Sequence, residues 1–313
     1  MNDLLTLKRS LPYGLRIVLV GSILYFIVTG IPLNAAQIGD YLLHTGAYFY
    51  ASLLLFSFFL VLQASIWVII LNDSGRQLGL VKGLMIYINT QFAKYIPGGF
   101  WNYAGRVVLT SREGVGLSIQ MTTIFYENIL IVLAASIYSL VLLVYLGVLQ
   151  LYVFLLFLAA LGVAYLFYTK VTNSLQLSVR WVLQKLHWKK FSGPGSLLTR
   201  NHFYQYLLYF LSSHLVMGLA FWLLIRSFHL YNIGIFYAAG TFASAWLLGL
   251  LSPLPGGIGI REGFLVYFLS FQMDPEIALQ ISVIARIWNV LSEVLFFMGM
   301  NAIHYVTQRM RLS

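Results

Sequence analysis

Long apolar runs are the feature that most restricts what this chain can fold into. The run from Leu151 to Phe167 contains no charged residue and does not alternate between polar and apolar positions. A helix needs about 20 apolar residues to cross a bilayer, whereas a strand of a membrane barrel needs about 10 that alternate. Apolar segments cover residues 15–33, 47–71, 78–96, 117–146, 148–169, 203–228, 233–251, 258–273 and 277–307.

Charged residues are scarce as well. They make up 9% of the 313 residues, against about 25% in soluble domains, and no polar stretch is long enough to enclose a soluble core. The sequence therefore predicts an all-α polytopic membrane protein, with residues 1–313 in a single integral membrane domain. The chain has no cysteine, which excludes disulfides and thiolate chemistry.

The distribution of lysine and arginine predicts the orientation. Basic residues lie in the N-terminal tail, in residues 72–82, in residues 170–200 and in the C-terminal tail, whereas residues 32–46 contain none. By the positive-inside rule, the four basic regions and both termini are expected in the cytoplasm. Because the basic residues flank apolar spans, the net charge of +10 indicates contact with anionic lipid and not with nucleic acid.

Two further segments follow from this orientation. Residues 172–200 are predicted to form a cytoplasmic amphipathic loop, in which residues 172–190 make an interfacial helix that anchors the protein. Residues 15–33 are interpreted as an uncleaved first span and not as a signal peptide, since the region after them is a poor cleavage site.

Two Pro-Gly-Gly sequences interrupt apolar segments. Residues 78–112 begin and end on the cytoplasmic side and hold about 19 continuous apolar residues before Pro97, which predicts a re-entrant hairpin. Residues 233–273 begin and end on the outer side and are interrupted around Pro255. They form either a matching hairpin or two short spans that meet near the inner face. With these hairpins, about 6–8 full spans are expected.

The two interruptions belong to an internal similarity. Residues 94–116 and 252–263 each contain Pro-Gly-Gly followed by Arg-Glu-Gly, although at different intervals. We interpret them as parts of inverted repeats, one at about 47–146 and the other at about 203–307. Paired interrupted helices in corresponding halves indicate a transporter binding site near the middle of the membrane.

The chemistry of Pro-Gly-Gly suits an anion site. Proline stops the preceding helix, and glycine permits turns with positive φ. The helix that restarts after the turn then points free N–H groups and its positive dipole end at the interruption. Gly98, Gly99, Gly256 and Gly257 are therefore candidate headgroup-binding residues. The alternative is that both sites are only helix kinks.

Ionisable residues gather in and beside the predicted hairpins and in the helices that follow. A charge at the bilayer centre costs about 2.5–3.5 kcal/mol, so such residues are expected to face inward and to pair. The candidate headgroup-binding cations are Lys94, Arg106, Arg112 and Arg261, and the candidate coupling or ion-pair residues are Glu113, Glu127, Glu262, Arg286 and Glu293. These five cations and four acids leave a surplus of one positive charge, which an anionic headgroup would neutralise.

The pairing of these residues stays open at the sequence level. Arg286 and Glu293 are seven residues apart and so share a helix face, whereas Glu127 has no evident partner. Pairs between neighbours, such as Arg261 with Glu262, would be purely structural. Glu127 and Glu293 are the candidates for proton-coupled switching, because desolvation favours the protonated form of a carboxyl group.

No motif for catalysis, nucleotide binding or metal binding is found in the sequence. The chain has no Walker loop, no nucleophile elbow and no histidine pair with zinc spacing on one helix. We therefore expect no catalytic residue, no metal and no cofactor, and we do not expect an enzyme.

The paired sequences resemble a known family. Lys94-Tyr95-Ile96-Pro97-Gly98-Gly99 with Trp101, Gly105-Arg106 and Arg112-Glu113-Gly114, and likewise Pro255-Gly256-Gly257-Ile258-Gly259 with Arg261-Glu262-Gly263, are similar to the transmembrane domain of the lysylphosphatidylglycerol synthase family. That family includes the flippase half of the bacterial multiple peptide resistance factor and stand-alone membrane proteins.

The resemblance implies a lipid flippase of the bacterial inner membrane, with inverted repeats and a headgroup cavity. It implies that the headgroup cavity is formed by Arg106, Arg112, Glu113, Arg261 and Glu262. Two-domain members continue into a cytoplasmic aminoacyl-transferase domain, whereas this chain ends at Ser313. We therefore expect it to move a lipid that a separate enzyme makes.

The leading functional hypothesis is movement of an anionic or modified phospholipid, or of a lipid-linked intermediate, between leaflets. The alternatives are transport of a small soluble anion and an accessory subunit that binds lipid for a lipid-modifying enzyme. Membrane phospholipid is the expected partner, and the oligomeric state stays open.

Overall fold

The computed structural model describes residues 39, 41, 44–73, 75, 77–96, 100–174, 177, 198–250, 257 and 259–312, with the side chains of residue 304 and residues 307–312 not described. Several sequence predictions fall outside these residues. They are the first span at 15–33, most of the interfacial helix at 172–190, and the turn residues Pro97, Gly98, Gly99, Pro255 and Gly256.

Every regular element among the described residues is helical. In chain order the helices are α1 (Ala47–Asp73), α2 (Leu80–Gln91), α3 (Trp101–Arg112), α4 (Leu117–Tyr145), α5 (Leu151–Leu166), α6 (Arg200–Arg226), α7 (Ile235–Leu250), α8 (Ile260–Leu269) and α9 (Pro275–Leu312), with a 3₁₀ turn at Phe92–Tyr95 after α2. The all-α fold is thus confirmed. The helices follow the predicted apolar segments closely, except α3, which lies between two of them.

In the part of the chain that the structure describes, four helices are long and apolar enough to cross a membrane, namely α1, α4, α6 and α9. A fifth candidate span arises if α5 is joined to the short helix Tyr168–Ser174, which it meets at a bend of 81°. The protein is therefore a multi-pass membrane protein. The larger number of spans, about 6–8, stays a prediction, as does the cytoplasmic placement of both termini.

The remaining helices form two short pairs. At a rise of about 1.5 Å per residue, α2 and α3 are each about 18 Å long and α8 about 15 Å, short of a hydrocarbon core of about 30 Å. The two helices of each pair contact each other, α2 with α3 and α7 with α8. Along the chain, the order of a long helix, two short helices and a long helix occurs twice, at 47–145 and at 200–312.

Aromatic side chains from four helices make the centre of the core. The ring of Phe56 (α1) lies 4.2 Å from that of Trp288 (α9), and Phe221 (α6) lies 4.9 Å from Phe242 (α7), measured between centroids. Phe56 and Phe242 are 5.8 Å apart, which joins the two pairs. Because all four side chains are buried, this cluster holds long helices of both halves together.

Two glycines allow close contacts within the short helix pairs. Gly257 has a φ of +73°, and a Cβ there would lie 3.0 Å from the carbonyl oxygen of Gly249. Gly105 of α3 packs against Thr90 of α2, where a Cβ would lie 3.0 Å from a methyl carbon. Side chains at these positions would push the paired helices apart.

Candidate functional site

A cavity of about 320 Å³ lies where the short helix pairs meet the long helices. Its walls come from α1, α2 with its 3₁₀ turn, α3, α4, α6, α7, α8 and α9. A smaller cavity of about 30 Å³ adjoins it and shares Lys94, Arg261 and Asn289 with it. The charged residues that line the large cavity are Lys94, Arg106, Glu127, Arg261 and Glu293. All five are among the residues that the sequence singled out.

Arg106 and Glu127 form a buried ion pair on one wall. One guanidinium nitrogen of Arg106 donates to both carboxylate oxygens of Glu127, at 2.9 and 2.8 Å, and the two side chains are 4% and 6% exposed. The guanidinium also lies over the rings of Tyr87, Tyr103 and Trp67, at 4.5, 4.9 and 5.3 Å from their centroids. Glu127 thus neutralises the charge of Arg106, and the aromatic rings help to hold the guanidinium group in place.

Lys94 and Glu293 form a second ion pair in the lining of the cavity. Lys94 lies in the 3₁₀ turn after α2, and Glu293 lies on α9 with a fully buried side chain. The ammonium group of Lys94 donates to Oε1 of Glu293, and the hydroxyl group of Tyr95 donates to Oε2 at 3.1 Å. The end of the first short pair is thereby tied to the last helix.

Arg261 is held in a different way. The Asn289 amide satisfies both neighbours in one orientation only, in which its oxygen accepts from both terminal nitrogens of Arg261 at 3.2 and 3.1 Å. Its nitrogen then donates to Oε1 of Glu293 at 3.0 Å. The guanidinium also lies 4.7 Å from the ring centroid of Phe242. Among the described residues, no carboxylate forms an ion pair with Arg261.

Glu262 and Arg286 form a pair beside the smaller cavity. Nη1 of Arg286 donates to Oε1 of Glu262, and the other carboxylate oxygen accepts from the backbone N–H of Gly259 at 2.7 Å. Glu262 thus caps the first turn of α8 and joins it to α9. The pair fixes the position of α8, on which Arg261 lies.

Two predicted site residues lie elsewhere. Arg112 is exposed at the end of α3 and does not line either cavity. Glu113 follows it and accepts a hydrogen bond of 2.7 Å from Lys82, in a pair whose side chains are 31% and 60% exposed. A role for these two residues in headgroup binding stays a prediction.

The charge balance of the large cavity singles out Arg261. Its lining holds three cations and two carboxylates. Each carboxylate is paired with a cation, Glu127 with Arg106 and Glu293 with Lys94, while Arg261 is bound by a neutral amide. Within the described residues, the cavity therefore carries a surplus of one positive charge, and an anionic group would neutralise it at Arg261.

Uncharged polar residues complete the lining, and they are not among the site residues predicted from the sequence. Gln63, Asn102 and Asn289 lie in or beside apolar segments and carry no charge that would draw attention to them. The ring of His214 bonds the carbonyl oxygen of Phe210 at 2.8 Å, and the residue also lines the cavity. The sequence signal of Gln63 and Asn289 is a polar side chain within a long membrane-spanning helix, whereas Asn102 lies in a helix with several other polar residues.

Taken together, long apolar helices around a buried, charged cavity define a polytopic membrane protein with an internal polar site. Residues 14–295 match the lysylphosphatidylglycerol synthase TM region, and the chain belongs to that family. Membership suggests a lipid-related, flippase-like domain in the membrane. A comparison with curated proteins finds no match.

Proposed function

We propose that the protein moves an anionic or modified phospholipid, or a lipid-linked intermediate, between the leaflets of a bacterial inner membrane. The observation that carries the proposal is the environment of Arg261. This residue lies in a cavity among membrane-spanning helices, and its guanidinium group is bound by a neutral amide and not by a carboxylate that would neutralise its charge. A phosphodiester at Arg261 supplies the missing negative charge. Membership of the family supports lipid as the cargo over a soluble anion.

The size of the cavity supports recognition of a headgroup. A volume of about 320 Å³ is at the lower end of small-molecule sites, which span about 300–1,000 Å³. A polar headgroup fits such a space, whereas two acyl chains do not. The acyl chains therefore stay in the bilayer against the exposed apolar side chains of the helices, while the headgroup crosses inside the protein.

The short helix pairs provide the two faces of the transport pathway. We propose that α2 with α3 and α7 with α8 are re-entrant hairpins from opposite sides, within inverted repeats at about 47–146 and 203–307. The helices of each pair are too short for the pair to cross the bilayer and return. The first pair brings Lys94 and Arg106 to the cavity, and the second brings Arg261.

Glu293 is the proposed coupling residue. It accepts hydrogen bonds from Lys94, Tyr95 and Asn289, and so links Lys94 of the first hairpin to Arg261 of the second, the latter through Asn289. Protonation of Glu293 would release Lys94 and raise the positive charge of the cavity. The protein itself is assigned no chemical step, and a separate enzyme is proposed to make the lipid.

The test is movement of a labelled phospholipid in vesicles reconstituted with the purified protein. Fluorescent phosphatidylglycerol in the inner leaflet is expected to become accessible to an impermeant quencher, and protein-free vesicles are the control. Uptake of labelled inorganic phosphate without lipid movement would instead indicate a soluble anion as cargo. Tight lipid binding without movement of either would indicate an accessory lipid-binding subunit.

A further inference from the structure

The smaller cavity is lined by more cations than carboxylates. Its described lining holds Lys94, Arg261 and Arg286 and, as a single carboxylate, Glu262. Glu262 neutralises Arg286, while Lys94 is neutralised by Glu293 of the large cavity. Arg261 is again the cation whose charge is not compensated, since a neutral amide binds it. The described residues around the smaller cavity therefore carry the same surplus of positive charge as the large cavity.

Hydrogen-bond donors in this lining outnumber the acceptors that remain for them. Among the described residues, Lys94 uses one of its three N–H groups, Arg286 one of its five and Arg261 two of its five. The acceptors, by contrast, are engaged. Both carboxylate oxygens of Glu262 and the amide oxygen of Asn289 already accept hydrogen bonds. A ligand that carries a negative charge and only accepts hydrogen bonds therefore suits this cavity.

The cations of the smaller cavity are accessible to a small ligand. The side chains of Lys94 and Arg286 are 26% and 18% exposed, although both residues take part in ion pairs. Within the described residues, the buried side-chain nitrogens that lack a partner do not include any nitrogen of Lys94, Arg261 or Arg286. The unused N–H groups of these three residues therefore stay within reach of an ion that enters the cavity.

The volume of the smaller cavity restricts the kind of anion. A volume of about 30 Å³ holds about two water molecules, at roughly 10–15 Å³ each. A single halide ion fits this space, whereas a phosphodiester with its attached carbon groups does not. Water fits as well, but it is neutral and leaves the surplus positive charge uncompensated. Charge, hydrogen bonding and size together favour a monoatomic anion.

We propose that the smaller cavity is a binding site for a halide ion such as chloride, held by Arg261, Arg286 and Lys94. The inference goes beyond the proposed function, because the site binds chloride whether or not the protein moves lipid. The halide compensates the charge of Arg261 while the large cavity holds no anionic group. One consequence rests on the proposed function: a phosphodiester that reaches Arg261 from the large cavity competes with the halide for the same surplus charge.

The test is binding of radiolabelled chloride to the purified full chain in detergent, with gluconate keeping the ionic strength constant. The unaltered protein is expected to bind chloride saturably, and unlabelled bromide, but not gluconate, should displace it. Ala285→Val adds two methyl groups to the lining and leaves every charge in place, so it should abolish saturable binding. Ala302→Val makes the same change at an exposed position of α9 and should leave chloride binding unchanged.

A second variant tests the role of charge. Arg261→Gln removes the surplus positive charge and should raise the Kd for chloride at least about tenfold, and it serves if Ala285→Val does not fold. Absence of saturable chloride binding in the unaltered protein would overturn the halide site. Chloride binding that survives both cavity variants would overturn its assignment to the smaller cavity.

The halide site and the proposed function can fail separately. Lipid movement by a chain that binds no chloride would contradict the halide site alone. Saturable chloride binding that Ala285→Val abolishes, in a protein that moves no lipid, would support the halide site and contradict the proposed function.

Discussion

Arg261 and Asn289 are joined by two hydrogen bonds, of 3.2 and 3.1 Å, from the guanidinium group to one amide oxygen. The nitrogen of the same amide donates a hydrogen bond to Oε1 of Glu293. This carboxylate therefore orients Arg261 through Asn289 without forming an ion pair with it. An arginine in this state is ready to bind an anion, since its position is fixed and its charge is not yet compensated.

Loss of Arg106 should destabilise the protein. Arg106→Met leaves the carboxylate of Glu127 buried without its cation, which costs about 3–5 kcal/mol. The apparent melting temperature in detergent is expected to fall, and the double variant Arg106→Met with Glu127→Met is expected to recover much of the loss. Arg112→Met is the matched control at an exposed position of the same helix. Equal melting temperatures for Arg106→Met and this control would contradict the structural role of the pair.

Neutralising Glu293 should strengthen the binding of an anionic headgroup. Glu293→Gln mimics the protonated acid and raises the surplus charge of the cavity from one to two, so the Kd for phosphatidylglycerol should fall by about tenfold. Equilibrium binding in detergent measures this. Glu276→Gln changes an exposed acid at the start of the same helix and should leave the Kd unchanged. Weaker binding by Glu293→Gln would show that Glu293 itself holds the headgroup.

Gly257 should not tolerate a side chain. Gly257→Ala combines a left-handed φ of +73° with a Cβ that would lie 3.0 Å from the Gly249 carbonyl oxygen, and is expected to cost about 1–3 kcal/mol. Gly263→Ala on α8 meets nothing within 4 Å and should instead be neutral or slightly stabilising. Thermal unfolding should therefore show a lower melting temperature for Gly257→Ala and an equal or slightly higher one for Gly263→Ala. A similar decrease in melting temperature for both variants would contradict this expectation.

The orientation of the hairpins can be measured directly, because the chain contains no cysteine of its own. Single cysteines at Gly79 and Gly116, which flank the first hairpin, should both react with an impermeant maleimide from the cytoplasmic side. Cysteines at Gly234 and Asp274, which flank the second hairpin, should both react from the outer side. Labelling of right-side-out and inverted membrane vesicles distinguishes the sides. Reaction of the Gly79 and Gly116 variants from opposite sides would mean that the first hairpin crosses the membrane.

The long helices could be read from the sequence because their signal is local. An apolar run of sufficient length has few alternatives in a bilayer, so the bounds of α1, α4 and α6 agree closely with the predicted segments. The charged residues of the cavity were found for the same reason, since a charge within apolar sequence is costly unless it is paired.

The partners of those charges could not be predicted. Glu127 pairs with a residue 21 positions away, and Lys94 pairs with one 199 positions away, which depends on how the helices pack. Neighbours such as Arg261 and Glu262 point to different sides of their helix, and the structure pairs Glu262 with Arg286 instead. Asn289 and Gln63 carry no charge, so the sequence marks them only as polar side chains within long membrane-spanning helices.

The initial rate of leaflet exchange is the measurement that tests the central claim most directly. Vesicles that contain the Arg261→Gln protein should move phosphatidylglycerol at least about tenfold more slowly than vesicles with the unaltered protein, since the cavity cation that meets the phosphodiester is lost. Arg200→Gln removes the same charge from an exposed position on α6 and should keep the full rate. Equal rates for all three proteins would contradict the assignment of Arg261 as the anion-binding residue of the transport pathway.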